Sequence, residues 1–313
     1  GLVNKKSVIL DCNSVEGLHS IGGTILGTSN RGLFKKPIKK EVIEAAMDYY
    51  KTLELSCMVV VGGDGTMAIG HKMSEFGMNV IGVPKTIDND LCCTDRTFGF
   101  DSAVSVVTEA LDRLHTTASS HHRAMVIETM GRSAGWIGLY SAIAGGADVC
   151  LLPEIEWSFD PVIERLKDNA NRKNKGYSLV VVSEGAKFPQ SKKQIYQASG
   201  NLGGIGQRVA DEITRLTNGQ IETRLTTLGH IQRGGTPSSS DRILSTQFGV
   251  AAAQLAIQEK YGQMVSLQGT KIVSVPLTAS MANQKLIDPL NDPVLFAARE
   301  SGICFGDLLV EKK

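Results

Sequence analysis

A glycine-rich turn with a single carboxylate follows an apolar run near residue 60. The segment GGDGT, residues 62–66, comes directly after the apolar residues 58–61. Glycines let the backbone approach a phosphate closely, and carboxylate oxygens are ligands that Mg²⁺ accepts. The turn therefore predicts a phosphate site in which Asp64 faces a bound magnesium ion. The alternative is a strand-to-helix turn in which Asp64 only caps the helix.

Two carboxylates, Asp88 and Asp90, lie close together in the segment PKTIDND, residues 84–90. In an extended segment, residues two apart point to the same side, so both carboxylates can face one pocket. Paired carboxylates are typical of metal binding or of general-base chemistry, and Lys85 beside them can neutralise a phosphate. The alternative is that both carboxylates cap the turn before a helix that starts at Phe100.

Fixed positive charges occupy two further turns. The segment ETMGR, residues 128–132, ends a predicted strand and places Arg132 where it can stabilise charge on a transferring group. The segment LGHIQRGG, residues 228–235, offers His230 and Arg233 beside two glycines. A lone histidine is more often structural, but this pair in a glycine-rich turn favours binding of an anionic ligand.

The elements that must position these turns alternate along the chain. Short β-branched runs alternate with amphipathic helical stretches, which predicts parallel sheets covered by helices on both faces. Ligands bind at the carboxyl ends of such strands, which is where the polar turns lie. The strand at 80–83 is predicted to end at Pro84, because proline lacks a backbone donor. The predicted strands span 58–61, 80–83, 124–130, 149–152, 178–183 and 221–228. The predicted helices span 38–53, 100–119, 134–144, 203–218 and 239–260, with a further helix that follows the GGDGT turn and runs to about 76 and another from 160.

Composition excludes several classes of function. The chain has 313 residues, with 33 Lys and Arg against 32 Asp and Glu, so no global field attracts nucleic acid or an anionic membrane. The apolar runs are too short for a membrane helix. The six cysteines show no metal-site spacing, which favours a reduced, cytoplasmic protein.

Five motifs, GGDGT, PKTIDND, ETMGR, SEGAK and LGHIQRGG, occur in the order and approximate spacing of the 6-phosphofructokinase family. The chain resembles this family over nearly its whole length, whereas GGDGT alone also occurs in NAD kinases and lipid kinases. The resemblance implies transfer of a phosphoryl group from ATP, with Mg²⁺, to the 1-hydroxyl of fructose 6-phosphate in glycolysis. It also implies an α/β fold of two Rossmann-like three-layer domains with mostly parallel sheets and the active site in the cleft between them.

The resemblance assigns a role to each motif residue. Asp64 would organise Mg²⁺ on the donor phosphates, Asp88 would accept the proton of the attacking hydroxyl, and Asp90 would support the metal and the loop. Thr86 would contact the transferring phosphoryl group, and Arg132 would balance charge in the transition state. The other donor contacts would be Gly63, Gly65, Thr66, Lys85 and Arg31. The sugar would be held by Met130, Gly131 and Glu184, and its 6-phosphate by His230 and Arg233.

The resemblance also implies a homo-oligomer, a tetramer or a dimer, with sites shared between subunits. Arg123 and Arg224 would reach the sugar phosphate in a neighbouring subunit's site. Within the chain, residues 1–99 with about 232–275 would form the donor domain. Residues 100–231 with about 276–313 would form the fructose 6-phosphate domain.

The chain departs from the family pattern near its start. Family members usually begin with a strand and a turn, GGDxxGxN, that covers the donor phosphates, and this chain starts after them. The family arginine that contacts the nucleotide usually follows the segment IGGTILGTS at once, but here Asn30 intervenes before Arg31.

The phosphoryl donor is predicted from Gly65 and Lys85. Diphosphate-using relatives usually carry aspartate at the first position and lysine at the second, so this chain is mixed. A carboxylate at position 65 would crowd and repel the α-phosphate of a nucleotide, so glycine favours ATP. The alternatives are a diphosphate-dependent transferase and a non-catalytic partner subunit.

Overall fold

The computed structural model describes residues 1–28, 39–173, 175–197 and 202–307. It divides the chain into two compact units, each built from two segments. The first unit comprises Gly1–Asp101 and Gly234–Lys285, and the second comprises Ser102–Arg233 and Leu286–Lys313. We expected domain boundaries near 99, 231 and 275. Which unit binds which substrate stays a prediction.

Helices and strands alternate through the described residues. The helices are α1 (Lys40–Thr52), α2 (Asp64–Glu75), α3 (Phe100–His121), α4 (Trp136–Ala144), α5 (Phe159–Asn171), α6 (Ile205–Leu216), α7 (Ser239–Ile257) and α8 (Pro293–Glu300). The strands are β1 (Met58–Gly62), β2 (Val80–Thr86), β3 (Phe98–Gly99), β4 (Ala124–Thr129), β5 (Val149–Leu151), β6 (Ser178–Ser183), β7 (Thr223–Thr227), β8 (Gln263–Gln268) and β9 (Lys271–Pro276).

The first unit holds a sheet of order β1-β2-β8-β9, with β3 also paired to β2. Every pair is parallel except β8 with β9. Side chains of a strand alternate between the two faces of a sheet. Val80 therefore packs with α1 and α2, whereas Ile81 and Val83 pack with Phe248 of α7. Helices consequently cover both faces of this sheet.

The second unit holds a sheet of order β5-β6-β4-β7 in which every pair is parallel. All residues of β4 and β6 are buried, which is the expected property of central strands in a covered parallel sheet. Val126 and Val180 pack with Val162 of α5 and Val209 of α6. The predicted fold class, two α/β domains with mostly parallel sheets, is confirmed.

The predicted end of the strand at Pro84 is wrong. Strand β2 continues through Pro84 to Thr86. The ladder with β1 finishes at Pro84, and the ladder with β3 begins at Lys85. Pro84, which lacks a donor, therefore lies at the end of one ladder and directly before the start of another, and the two residues after it still pair.

Among the described residues, none of the helices combines the length and the apolar character that a membrane crossing requires.

Candidate active site

The GGDGT turn connects β1 to α2. Asp64 is the first residue of α2, and Gly63 is its N-cap. The Asp64 carboxylate is exposed, and its Oδ1 accepts a hydrogen bond of 2.6 Å from the Gly65 N–H. The helix N-terminus and its free N–H groups favour anions at this position. Asp64 is therefore not the N-cap of the helix, and its carboxylate faces solvent where a ligand can reach it.

Glycine at position 65 is not explained by packing. A Cβ atom placed on Gly65 would meet no protein atom within 4 Å. The backbone at Gly65 also lies outside the left-handed region. A larger residue would therefore fit the described protein, so packing does not require glycine at this position.

The loop after β2 orients Asp88. The Asp88 N–H donates to Thr86 Oγ1 at 3.2 Å, and the same hydroxyl lies 3.3 Å from Asp88 Oδ2. Thr86 is the last residue of β2, so these contacts tie the carboxylate to the carboxyl end of the strand. The neighbouring Lys85 has an exposed side chain.

Three carboxylates lie near each other at this edge of the first sheet. Burial, together with the negative charges of Asp88 and Asp64, raises the pKa of Asp90 to about 6. A divalent cation would offset this repulsion, so the carboxylates fit Mg²⁺ by their chemistry. No three acidic, histidine or cysteine side chains of the described residues form a ready metal site. Mg²⁺ usually takes only one or two carboxylates, together with water and substrate phosphates.

Lys285 is a site residue that sequence reasoning missed. It lies in a tail segment without a motif, yet its Nζ donates to the loop after Asp88. Burial lowers the pKa of Lys285 to about 8, and the nearby charges of Asp95 and Asp90 oppose that shift. No local pattern could have indicated it, because the contact joins positions about 190 residues apart.

In the second unit, a buried glutamine joins two of the predicted turns. The Met130 N–H donates to Gln232 Oε1 at 3.1 Å, and Gln232 Nε2 donates to the Gly229 carbonyl at 3.0 Å. His230 and Arg233, on either side of Gln232, have exposed side chains, as does Arg132. The second unit thus places its predicted anion-binding residues around one buried amide, which the sequence analysis did not single out.

Glu184 follows β6 and lies beside the turn after β4 that contains Met130 and Gly131. Its N–H donates to the Thr129 carbonyl at 2.8 Å, next to the last pair of the β4–β6 ladder. The Gly185 N–H donates to the Gly131 carbonyl at 3.0 Å. Met130, Gly131 and Glu184 are therefore neighbours at the carboxyl ends of two adjacent strands.

Glu128, in the ETMGR segment, has a structural role. Its buried carboxylate accepts the Gly204 N–H at 2.9 Å and the Gly206 N–H at 2.7 Å, at the start of α6. A carboxylate at a helix N-terminus satisfies free backbone donors and complements the helix dipole. This residue anchors α6 to β4.

Arg123 and Arg224 lie at the opposite edge of the second sheet. Arg123 directly precedes β4, and Arg224 is the second residue of β7. Arg123 Nε donates to Glu222 Oε2 at 2.8 Å, and Arg224 pairs with the other oxygen of the same carboxylate. Arg123 lies six residues before Thr129, the last residue of β4, a distance of about 20 Å at roughly 3.3 Å per residue. The structure does not bring these arginines to the carboxyl edge of their own sheet.

One predicted donor contact, Arg31, lies outside the described residues. The other predicted site residues fall into three groups. Gly63, Asp64, Gly65, Thr66, Lys85, Thr86, Asp88 and Asp90 lie around the carboxyl ends of β1 and β2. Met130, Gly131, Arg132, Glu184, His230 and Arg233 follow the carboxyl ends of β4, β6 and β7, and Arg123 and Arg224 lie at the amino ends of β4 and β7.

Comparison with known proteins gives consistent results. A family-wide sequence model described as Phosphofructokinase matches residues 1–256. An ATP-dependent 6-phosphofructokinase of Chloroflexus aurantiacus is 47% identical over 99% of this chain and 87% of that protein. A pyrophosphate–fructose 6-phosphate 1-phosphotransferase of Amycolatopsis methanolica is 43% identical over 90% of this chain and 82% of that protein.

The fold is also similar to a solved structure. The crystal structure of Pichia pastoris phosphofructokinase in the T-state matches 94% of this chain, with a TM-score of 0.75 and 31% identity. The match covers 31% of the Pichia chain, so the present chain corresponds to about a third of that protein.

The backbone at Gly185 lies close to the Gly131–Arg132 turn, and substitution of Gly185 tests whether the fold depends on this close approach. A Cβ atom at position 185 would lie 2.0 Å from the Arg132 carbonyl oxygen and 2.6 Å from that of Gly131. Because both obstacles are backbone atoms, we expect Gly185→Ala to lower the free energy of unfolding by about 1–3 kcal/mol, measured by urea denaturation. In the control Gly249→Ala, on α7, a Cβ atom meets nothing within 4 Å. That variant should be about 0.5–1 kcal/mol more stable. Equal stabilities of the two variants would contradict the prediction.

Proposed function

The chain belongs to the phosphofructokinase family, and we propose that it transfers the γ-phosphoryl group of ATP to the 1-hydroxyl of fructose 6-phosphate in glycolysis, in the cytoplasm. The products would be fructose 1,6-bisphosphate and ADP. The observation that carries the proposal is the attachment of Asp88 to Thr86 at the carboxyl end of β2. A carboxylate held in this way can serve as a general base, since phosphoryl transfer depends chiefly on positioning and electrostatics.

The first unit supplies the donor half of the proposed reaction. Asp64 would hold Mg²⁺, with Asp90 in support; when bound, the ion neutralises charge on the donor phosphates. Lys85, exposed beside Thr86, would add a positive charge to the terminal phosphate. The other proposed donor contacts are Gly63, Gly65 and Thr66 at the start of α2, and Arg31.

Asp88 would remove the proton of the sugar hydroxyl as that oxygen attacks the phosphoryl group. Its Oδ2 lies close to the Thr86 hydroxyl, which restricts the rotation of the carboxylate. Thr86 would then contact the transferring phosphoryl group. The proton would pass to an oxygen of Asp88, and the carboxylic acid formed would release it to solvent after the product leaves.

The second unit supplies the sugar-phosphate half. Met130, Gly131 and Glu184 would hold the sugar, and Arg132 would balance the charge that develops on the transferring group. His230 and Arg233 would bind the 6-phosphate. Their side chains are exposed on either side of the buried Gln232, which supports a role toward a ligand rather than in packing.

A homo-oligomer, a tetramer or a dimer, would complete the site. Arg123 lies about 20 Å from the carboxyl end of β4, and Arg224 lies about 10 Å from the carboxyl end of β7, so neither is adjacent to a sugar phosphate bound at that edge. Both guanidinium groups would instead bind the sugar phosphate held in the site of a second subunit, since guanidinium groups can bind phosphate in bidentate fashion. We therefore propose that subunits share their sugar-phosphate sites.

Diphosphate is the second candidate donor, because a relative 43% identical to this chain is named as a pyrophosphate-dependent enzyme. The open space at Gly65 supports ATP. Since the protein could accommodate a side chain there, its absence leaves room for the α-phosphate of a nucleotide. A non-catalytic partner subunit is disfavoured, because Asp64, Asp88 and Arg132 are all present.

The donor is tested by assaying the purified protein with Mg²⁺ and either ATP or diphosphate, at saturating fructose 6-phosphate. We expect faster turnover with ATP. Gly65→Asp should lower kcat/KM for ATP by about 10- to 100-fold through charge repulsion, the scale of a juxtaposed like charge. Gly65→Ala, which adds volume without charge, should lose less. Faster turnover of the unmodified protein with diphosphate would overturn the assignment of ATP.

Asp88→Asn should reduce kcat by roughly 10²- to 10⁴-fold, the usual contribution of a positioned acid or base. The KM for fructose 6-phosphate should change much less, because the amide keeps the shape of the carboxylate. Steady-state kinetics measure both constants. The control is Asp112→Asn, an exposed residue on α3, which should retain normal turnover. Near-normal kcat of Asp88→Asn would exclude Asp88 as the base.

Sharing of sites is tested by mixing inactive variants. Asp88→Asn and Arg224→Ala, after proven subunit exchange, should recover activity, about a quarter of the normal value for randomly mixed two-fold dimers. A hybrid then holds one site with both residues intact. Asp88→Asn mixed with His230→Ala should stay inactive, because both residues would serve the site of one subunit. No recovery in the first mixture would show that Arg224 is not shared.

A further inference from the structure

A lysine far along the chain is hydrogen-bonded to the loop that carries Asp88 and Asp90. Lys285 Nζ donates to Asn89 Oδ1 at 3.1 Å and to the carbonyls of Thr94 and Asp95, each at 2.9 Å. An ammonium group has three donors, and these acceptors come from both ends of the segment 89–95. One head group thus connects two parts of the loop.

Lys285 and the residue before it, Gln284, also contact Asp90 directly. The Lys285 N–H donates to the Asp90 carbonyl at 2.8 Å, and Gln284 Nε2 donates to Asp90 Oδ2 at 3.3 Å. Gln284 also forms an isolated antiparallel bridge with Leu91. Gln284 and Lys285 therefore hold Asp90 through its main chain and its side chain together.

Asn89 is the link to Asp88. It is buried, it has a left-handed φ of 53°, and its Oδ1 accepts the Thr97 N–H at 3.0 Å as well as Lys285 Nζ. Thr97 Oγ1 in turn donates to the carbonyl of Thr86, the residue that orients Asp88. The residue between the two carboxylates is thus fixed by Lys285 on one side and by the strand end on the other.

We propose that Lys285, assisted by Gln284, is a positioning residue for the phosphoryl transfer: through Asn89 and the backbone of Asp90 it fixes the direction of Asp88 and Asp90. The proposal rests on the proposed function. Lys285 acts on the loop oxygens and not on a substrate phosphate. Misplacement of a catalytic group by about 1 Å can cost 100-fold in rate, so loss of this lysine should appear in turnover.

The test compares Lys285→Met in two backgrounds, assayed with ATP, Mg²⁺ and fructose 6-phosphate. In the otherwise unmodified protein we expect kcat to fall by about 10- to 100-fold, with KM for fructose 6-phosphate within about threefold. In the Asp88→Asn background the same substitution should lower the residual rate by a smaller factor than in the otherwise unmodified protein, because Asp88, one of the two groups that Lys285 positions, is already absent. The control Lys271→Met, exposed on β9, should leave both constants unchanged.

A merely structural role predicts a different pattern. Loss of folded protein would lower the rate equally in both backgrounds, and that result would overturn the proposal, as would an unchanged kcat of Lys285→Met. If Lys285→Met does not fold, Gln284→Ala decides, because it removes only an exposed side chain that contacts Asp90. A fall in kcat at constant KM supports the proposal, and an unchanged kcat overturns it.

Hydrogen exchange separates failure of this proposal from failure of the proposed function. Lys285→Met should accelerate exchange at the Asp88 and Thr97 amides, which are bonded to Thr86 and Asn89, whether or not the protein phosphorylates a sugar. If the unmodified protein has no sugar kinase activity but exchange is accelerated in the variant, the proposed function is rejected, and the claim that Lys285 holds the loop remains supported. Unchanged exchange at both amides would reject the claim that Lys285 holds the loop.

Discussion

Parallel strand pairing is the constraint on which the predicted site residues of each unit depend. β1 pairs with β2, and β4 pairs with β6 and β7, all in parallel, so the strands of each ladder end at the same edge. Residues distant in sequence therefore meet there: Asp64 and Asp88 follow neighbouring strands of one sheet, and Met130 and Glu184 those of the other. A one-residue slip in either ladder would shift these turns by about 3.3 Å and reverse the faces of the strand side chains.

Most of the fold could be predicted from local patterns, because buried parallel strands appear as short β-branched runs and their helices as amphipathic stretches. The error at Pro84 shows the limit of that reasoning. Proline lacks a backbone N–H donor, but whether a strand needs a donor at that residue depends on how its neighbouring strands pair with it there. In β2 the ladder with β1 ends at Pro84 and the ladder with β3 begins at Lys85, and no local signal reports either event.

The motif residues of the site could be located from sequence, since their turns follow apolar runs directly. Their supports could not. Gln232 lies inside a recognised motif, but the sequence indicates chemistry only for the nearby His230 and Arg233. The buried amide of Gln232 instead joins two turns. Glu128 looked like part of a substrate motif and instead holds the start of α6. Such roles depend on tertiary partners, and the partner of a side chain has no signature in the residues around it.

The division of each unit between two chain segments bears on the order of folding during synthesis. The second sheet comes from one continuous stretch of chain, so its strands can pair as soon as β7 has been made. The first sheet cannot close so early, because residues 81 and 82 of β2 pair with residues 263 and 264 of β8. Until β8 emerges from the ribosome, one edge of β2 lacks that partner, and an unpaired edge invites association with other chains. The early-made half is thus the later to fold, and its nascent form is where chaperone binding should concentrate.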